Sequence, residues 1–192
     1  MNCLFVSLFT IFLTIMPLMP QSPYSSPSIQ SVNGIILAVN TDSIDILSVN
    51  DRNKAVTLKI TSETYIIDAV IGKPISLNER IDDKIVGYYR TVKPSENKAA
   101  ALILNIPEDY SPPVYTRAVQ VSHNGGQLYV LAEQGVIVSI SGDTIIESFF
   151  SRNIPSIDDI TGNTDLLLWN QAYNMSIPAR TAANKVIILG RN

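Results

Sequence analysis

Ile60-Thr61-Ser62-Glu63-Thr64-Tyr65-Ile66 returns 80 residues later as Ile140-Ser141-Gly142-Asp143-Thr144-Ile145-Ile146, and this echo decides how the chain is read. A second block follows each copy: Lys84-Ile85-Val86-Gly87-Tyr88 is matched by Asp165-Leu166-Leu167-Leu168-Trp169 at an offset of 81. Each copy then passes a proline, Pro94 or Pro178, and ends in an apolar run, Leu102-Ile103-Leu104 or Val186-Ile187-Ile188, at an offset of 84. Three blocks in the same order with a small one-directional drift mark two copies of one β-unit. At roughly 75 residues each, a copy is near the lower limit for a self-sufficient core, so packing of one copy on the other is expected.

Around these blocks the sequence alternates short apolar strands with turns. Gly34–Val39 is closed by Asn40-Thr41-Asp42, and Ser43–Leu47 and Ala55–Ile60 alternate with the period of two that a half-buried strand shows. Thr64–Ile67, Ile85–Tyr89 and Ala99–Leu104 complete the first copy. The second runs through Tyr115–Val121, Gln127–Leu131 and Val136–Ile140, with a hairpin turn at His123-Asn124-Gly125-Gly126. Ser76, with Glu79 three residues on, predicts a capped helical turn, and Pro155–Ile160 is its expected counterpart. The expected fold is all-β with one short helical turn per repeat: tandem small barrels of oligonucleotide/oligosaccharide-binding (OB) type, or sandwich-like sheets. The organisation that follows is an apolar N-terminal segment at 1–20, a Ser/Pro-rich linker at 21–31, repeats at 32–106 and 114–192, and a proline-rich connector at 107–113.

Leu4–Met16 holds only Ser and Thr as polar interruptions, which suits the apolar core of a signal peptide and is short for a membrane span. Export is therefore expected, with this segment either cleaved or kept as the sole membrane anchor. The one cysteine, Cys3, lies just ahead of this run in the N-terminal segment, so disulfides, zinc ribbons and thiol chemistry are excluded from the repeats. The net charge of −3 is spread without a basic stripe, which argues against nucleic acid as a partner.

Few residues carry chemistry. His123, the only histidine, sits in a turn without a visible partner and reads as a solvated turn residue. Ser95-Glu96-Asn97-Lys98 matches the Ser-x-x-Lys pattern of serine enzymes, but its companion motifs are missing, so a hydrolase using Ser95 and Lys98 is a remote reading. Asp82-Asp83 and Asp158-Asp159 offer hard oxygen ligands in roughly equivalent turns, and a calcium or small-ligand receptor built on them is the second hypothesis. Tyr88, Tyr89, Trp169 and Tyr173 are aromatic at matching strand positions and are the candidate ligand-contacting residues, with a core role as the competing reading. Catalysis, a metal centre and a cofactor are not expected.

Thr64–Asp68, Arg80–Tyr89, Asn105-Ile106-Pro107, Leu166–Trp169 and Met175–Ala179 resemble an uncharacterised family of secreted proteins of Gram-positive anaerobes. In that family a two-repeat region precedes a module similar to the N-terminal domain of copper amine oxidases. The likeness runs from Val32 to Leu189. It implies an extracytoplasmic, non-catalytic module associated with the cell envelope, whose partner would be a wall polymer or an envelope protein. It does not imply oxidase activity, and without a histidine cluster or a topaquinone-forming tyrosine motif neither copper nor a quinone is carried over.

Overall fold

The computed structural model describes residues 29–51, 54–149, 155–170, 174 and 176–191. The apolar segment at 1–20, most of the linker behind it, and Tyr173 lie outside the described residues. The first sheet comprises β1 (Gln30–Val39), β2 (Ser43–Ser48), β3 (Ala55–Lys59), β4 (Tyr65–Asp68), β5 (Lys84–Lys93) and β6 (Glu96–Leu104). The second comprises β7 (Val114–Asn124), β8 (Gln127–Ala132), β9 (Ile137–Ile140), β10 (Ile145–Ser148), β11 (Thr164–Asn170) and β12 (Arg180–Arg191).

Strand order is β3-β2-β1-β5-β6-β4 in the first sheet and β10-β12-β11-β7-β8-β9 in the second. Every pairing in one sheet therefore has its counterpart in the other. A further parallel pairing bends each sheet round on itself: β3 meets β6 at Lys59↔Lys98, and β9 meets β12 from Arg180↔Ile137 to Ala182↔Ser139. The result is two five-stranded OB-like barrels, each carrying one extra strand.

The echoed heptad explains how the extra strand arises. From Lys59 to Tyr65 the chain takes six residues while its parallel partner β6 takes three, from Lys98 to Ala101. Ser139 to Ile145 does the same against Ala182 to Lys185. The surplus forms a turn pinned by threonine. The Thr64 hydroxyl accepts from Thr61 N at 3.0 Å and donates to Ala99 O at 2.8 Å. Thr144 accepts from Ser141 N at 3.1 Å and donates to Ala183 O at 2.9 Å. One edge of β6, and of β12, is thus served first by the strand that closes the barrel and then by the strand that extends it.

Three hydrophobic cores result. Ile36, Ile44, Ile46, Leu58, Ile85, Leu102 and Leu104 fill the first barrel, and Leu128, Val130, Val138, Ile140, Leu166, Leu168 and Val186 fill the second. The third lies between the barrels and gathers Ile67, Val86, Tyr88, Ala101, Ile103, Tyr115, Leu167, Ile187 and Leu189. Because side chains alternate along a strand, a strand buried on both faces reads as an unbroken apolar run. Leu102 and Leu104 point into the barrel and Ile103 into the shared core; Leu166 and Leu168 point inward and Leu167 outward.

Two local expectations are corrected. No capping box joins Ser76 and Glu79: Ser76 instead accepts from Asn78 N at 3.2 Å, and Glu79 has a φ of 59°, which a right-handed turn cannot contain. The box forms only in the second copy, where Ser156 N donates to Asp159 Oδ2 at 2.7 Å and caps a single 3-10 turn at Ile157–Asp159. In the β7–β8 hairpin, Asn124 pairs with Gln127, so the turn residues are Gly125 and Gly126, with φ of 59° and 79°. His123 stays in the strand, exposed, opposite Leu128.

Candidate functional site

The aromatic residues at matching positions are placed unequally. Tyr88 is 8% exposed in the shared core, and its hydroxyl donates to Pro113 O at 3.3 Å. Tyr89, one position on, packs against the interior of the first barrel. Trp169 is half-buried against the shared core, donates its indole N–H to the Tyr110 hydroxyl, and lies under Lys185 Nζ at 5.2 Å from the ring centre. The structure thus spends Tyr88, Tyr89 and Trp169 on packing and on tying the connector to the barrels.

The carboxylate pairs are not brought together. Asp82, with a φ of 69°, donates its backbone N–H to Ile36 O at 2.9 Å; its structural equivalent is Asn163, with a φ of 65° and a bond to Ala118 O at 2.8 Å. Asp83 is paired with Arg80 at 3.1 Å, and Asp159 is held in the capping box beside Asp158. Among the described residues no three His, Cys, Asp or Glu side chains are grouped as metal ligands. Ser95 lies at the tip of the β5–β6 hairpin, and Lys98 is on β6 with its ammonium 2.5 Å from Glu63. A strand, rather than a helix N-terminus, carries the Ser-x-x-Lys tetrad.

The structure adds a site of another kind where the barrels meet. A cleft of about 460 Å³ opens between the stem of the β5–β6 hairpin and β7. Arg90, Thr91 and Val92 line it from β5, Lys98, Ala99 and Ala100 from β6, and Glu63 from the threonine-pinned turn. Tyr115 and Arg117 come from β7. Two guanidinium forks are fixed by carboxylates. Arg117 donates through Nε and Nη2 to Asp165 at 2.7 and 3.2 Å, and Asp165 is wholly buried. Arg90 donates through Nη1 and Nη2 to Glu133 at 2.6 and 2.8 Å, an ion pair that crosses from the first barrel to the second. Two-point geometry of this kind holds a guanidinium in a single orientation.

The electrostatics follow from burial. Tyr115 is 2% exposed, and burial, reinforced by the Asp165 charge beside it, pushes its phenol far above the ordinary tyrosine value. Tyr65 is raised for the same reasons. The hydrogen bond that Arg117 donates to Asp165 raises Arg117, while burial lifts Glu133 against the opposing pull of Arg90 and Arg117. On the exposed rim, the hydrogen bond and charge of Lys98 lower Glu63.

A second open cleft of about 510 Å³ adjoins the first at Glu63, with Tyr65, Pro74, Ile75 and Phe149 along it. The Tyr65 and Phe149 rings meet edge to face, 5.9 Å between centres.

Arg90, Arg117, Glu133 and Asp165 escape sequence reading because partners 43 and 48 residues apart leave no local pattern. The one available signal is Asp165 itself, a charge set directly before Leu166-Leu167-Leu168 in an otherwise apolar strand. No family model matches this chain, and no curated protein matches it significantly.

Proposed function

We propose that this chain is a non-catalytic module, exported and held at the cell envelope, that binds or braces a wall polymer or an envelope protein. The observation that carries the reading is the shared core, which makes one body of two barrels and leaves a permanent cleft at their junction. Clefts between packed units are common places for binding sites. Support also comes from the signal-like Leu4–Met16 segment, from repeats without cysteine, and from the resemblance to secreted two-repeat proteins. Along the cleft Lys98, Arg90 and Arg117 are each held by a carboxylate, from Glu63, Glu133 and the buried Asp165, an arrangement suited to holding a ligand in a fixed frame.

The test is retention of the full chain on isolated cell walls and on an immobilised envelope-protein extract. Specific, saturable retention on either is the expected result and names the partner class. Absence of retention on both refutes the reading.

A further inference from the structure

We propose that the cleft between the barrels takes an uncharged sugar unit of a glycan chain, gripped by the paired charges of its walls. This rests on the reading of the chain as an envelope-binding module.

The two barrels differ at a position beside the cleft. In the second barrel Arg117 and Asp165 face each other across β7 and β11; the same cross-strand position in the first barrel holds Ile35 and Lys84. The fold therefore closes without an ion pair here. Taking an arginine and an aspartate out of water carries a desolvation penalty that a hydrophobic pair avoids. The second barrel keeps the costly pair at the position that opens onto the cleft, where its guanidinium can meet a ligand.

The cations along the cleft are each matched by a carboxylate. Arg117 is matched by Asp165, Arg90 by Glu133 and Lys98 by Glu63. Of these groups Arg90, Lys98, Arg117 and Glu63 line the cleft. A site for an anion needs cations that are not already neutralised, whereas each of these three cations is held by a carboxylate from beside or behind the wall. What the walls offer is oriented donors from Arg90, Lys98 and Arg117 and the acceptor oxygens of Glu63. A sugar hydroxyl both donates and accepts, so it can accept from a guanidinium or ammonium and donate to the Glu63 carboxylate without displacing either partner.

The shape of the cleft also suits a sugar unit. At about 460 Å³ the cleft falls within the range of small-molecule sites, about 300–1,000 Å³. Ala99 and Ala100 leave room beside the charged walls. Past Glu63 the neighbouring cleft continues with Tyr65 and Phe149, giving a glycan chain a second stretch with aromatic surface for the C–H face of a sugar ring.

The test is calorimetric titration of the full chain with cellotetraose and chitotetraose, both uncharged, and with tetragalacturonate, which carries carboxylates. The expected result is binding of an uncharged tetrasaccharide with a dissociation constant below about 1 mM, unaltered by about 0.5 M NaCl. Val92→Trp is expected to weaken it at least tenfold, because Val92 lines the cleft and is 56% exposed, so the indole enters the cleft without disturbing a core. Thr91→Val, which leaves all three ion pairs in place, tests the site a second time, with an expected loss of a few-fold. The proposal is overturned by no heat from either uncharged tetrasaccharide, by wild-type affinity in Val92→Trp, or by binding of tetragalacturonate alone that salt abolishes. Wall retention by Val92→Trp at the wild-type level would overturn the cleft and leave the envelope reading standing. Tetrasaccharide binding without retention on wall or extract would do the reverse.

Discussion

Truncating Ile103 to alanine separates one fused body from two beads on a string. Ile103 is fully buried, yet it lies on the outside of the first barrel, and only the shared core hides it. The change removes three carbons, worth about 2.4 kcal/mol of transfer free energy at about 0.8 kcal/mol per methylene. A cavity in a core that relaxes incompletely raises the cost to about 3–4 kcal/mol. Its neighbour Leu102, equally buried but facing the barrel interior, should lose a similar amount on truncation, and so should Ile187 on the opposite side of the shared core. The assay is urea unfolding followed by far-ultraviolet circular dichroism, in which the wild type should unfold in a single transition because neither barrel is complete alone. If the barrels were independent, Ile103 and Ile187 would be surface positions, and each truncation would stay within about 0.5 kcal/mol. That result, or two separate transitions in the wild type, refutes the shared core.

Removing one member of the buried ion pair should be worse than removing both. Asp165→Ala leaves Arg117 without its acceptor and is expected to cost about 3–5 kcal/mol, whereas Arg117→Leu with Asp165→Leu recovers much of it; equal melting temperatures for the two variants would refute this. Tyr65 and Tyr115 have folded-state values raised above that of a free phenol, so they contribute stability that is complete below about pH 10 and is lost as the pH climbs beyond it. In an absorbance titration at the tyrosinate band, two of the eight tyrosines should lag behind the rest until the fold gives way; uniform titration with intact circular dichroism would contradict the burial described. Gly34→Ala places a methyl 2.1 Å from the Leu47 carbonyl oxygen, so β1 and β2 must part; a drop of at least about 3 kcal/mol in unfolding free energy is expected, and a near-neutral variant would refute that close approach.

The repeats were legible because their signal is local. Alternation in Ser43–Leu47 and the recurrence of Ile60–Ile66 at Ile140–Ile146 both report on neighbours along the chain, and both correspond to observed strands and turns. Which face a residue takes is harder to read. Leu166-Leu167-Leu168-Trp169 is apolar throughout, so alternation cannot say that Leu167 and Trp169 belong to a different core from Leu166 and Leu168. The same ambiguity left Tyr88 and Trp169 open between ligand contact and packing. At Ser76 and Glu79 the spacing of a capping box was present, but Glu79 takes a positive φ that a helical turn excludes, whereas the second copy forms its box and still brings Asn163 onto β7. The cleft was the least legible part. Its ion pairs join different strands and, for Arg90 and Glu133, different barrels, so only the closed fold brings them together.

Three pairs of equivalent positions, Val86 and Leu167, Tyr88 and Trp169, and Ile103 and Ile187, reach the shared core from corresponding strands, while Ile67, Ala101, Tyr115 and Leu189 join it from one copy only. A surface that meets its own counterpart is the mark of an isologous contact, the kind that joins two identical protomers about a two-fold axis. A chain with a single copy would carry one member of each of those three pairs and could meet it in a twin, so this part of the core has the form of a homodimer contact threaded on one polypeptide. On one polypeptide the two sides can differ, and they do at Ile35 and Arg117, and at Lys84 and Asp165. A homodimer would have had to repeat those changes on both sides of its axis.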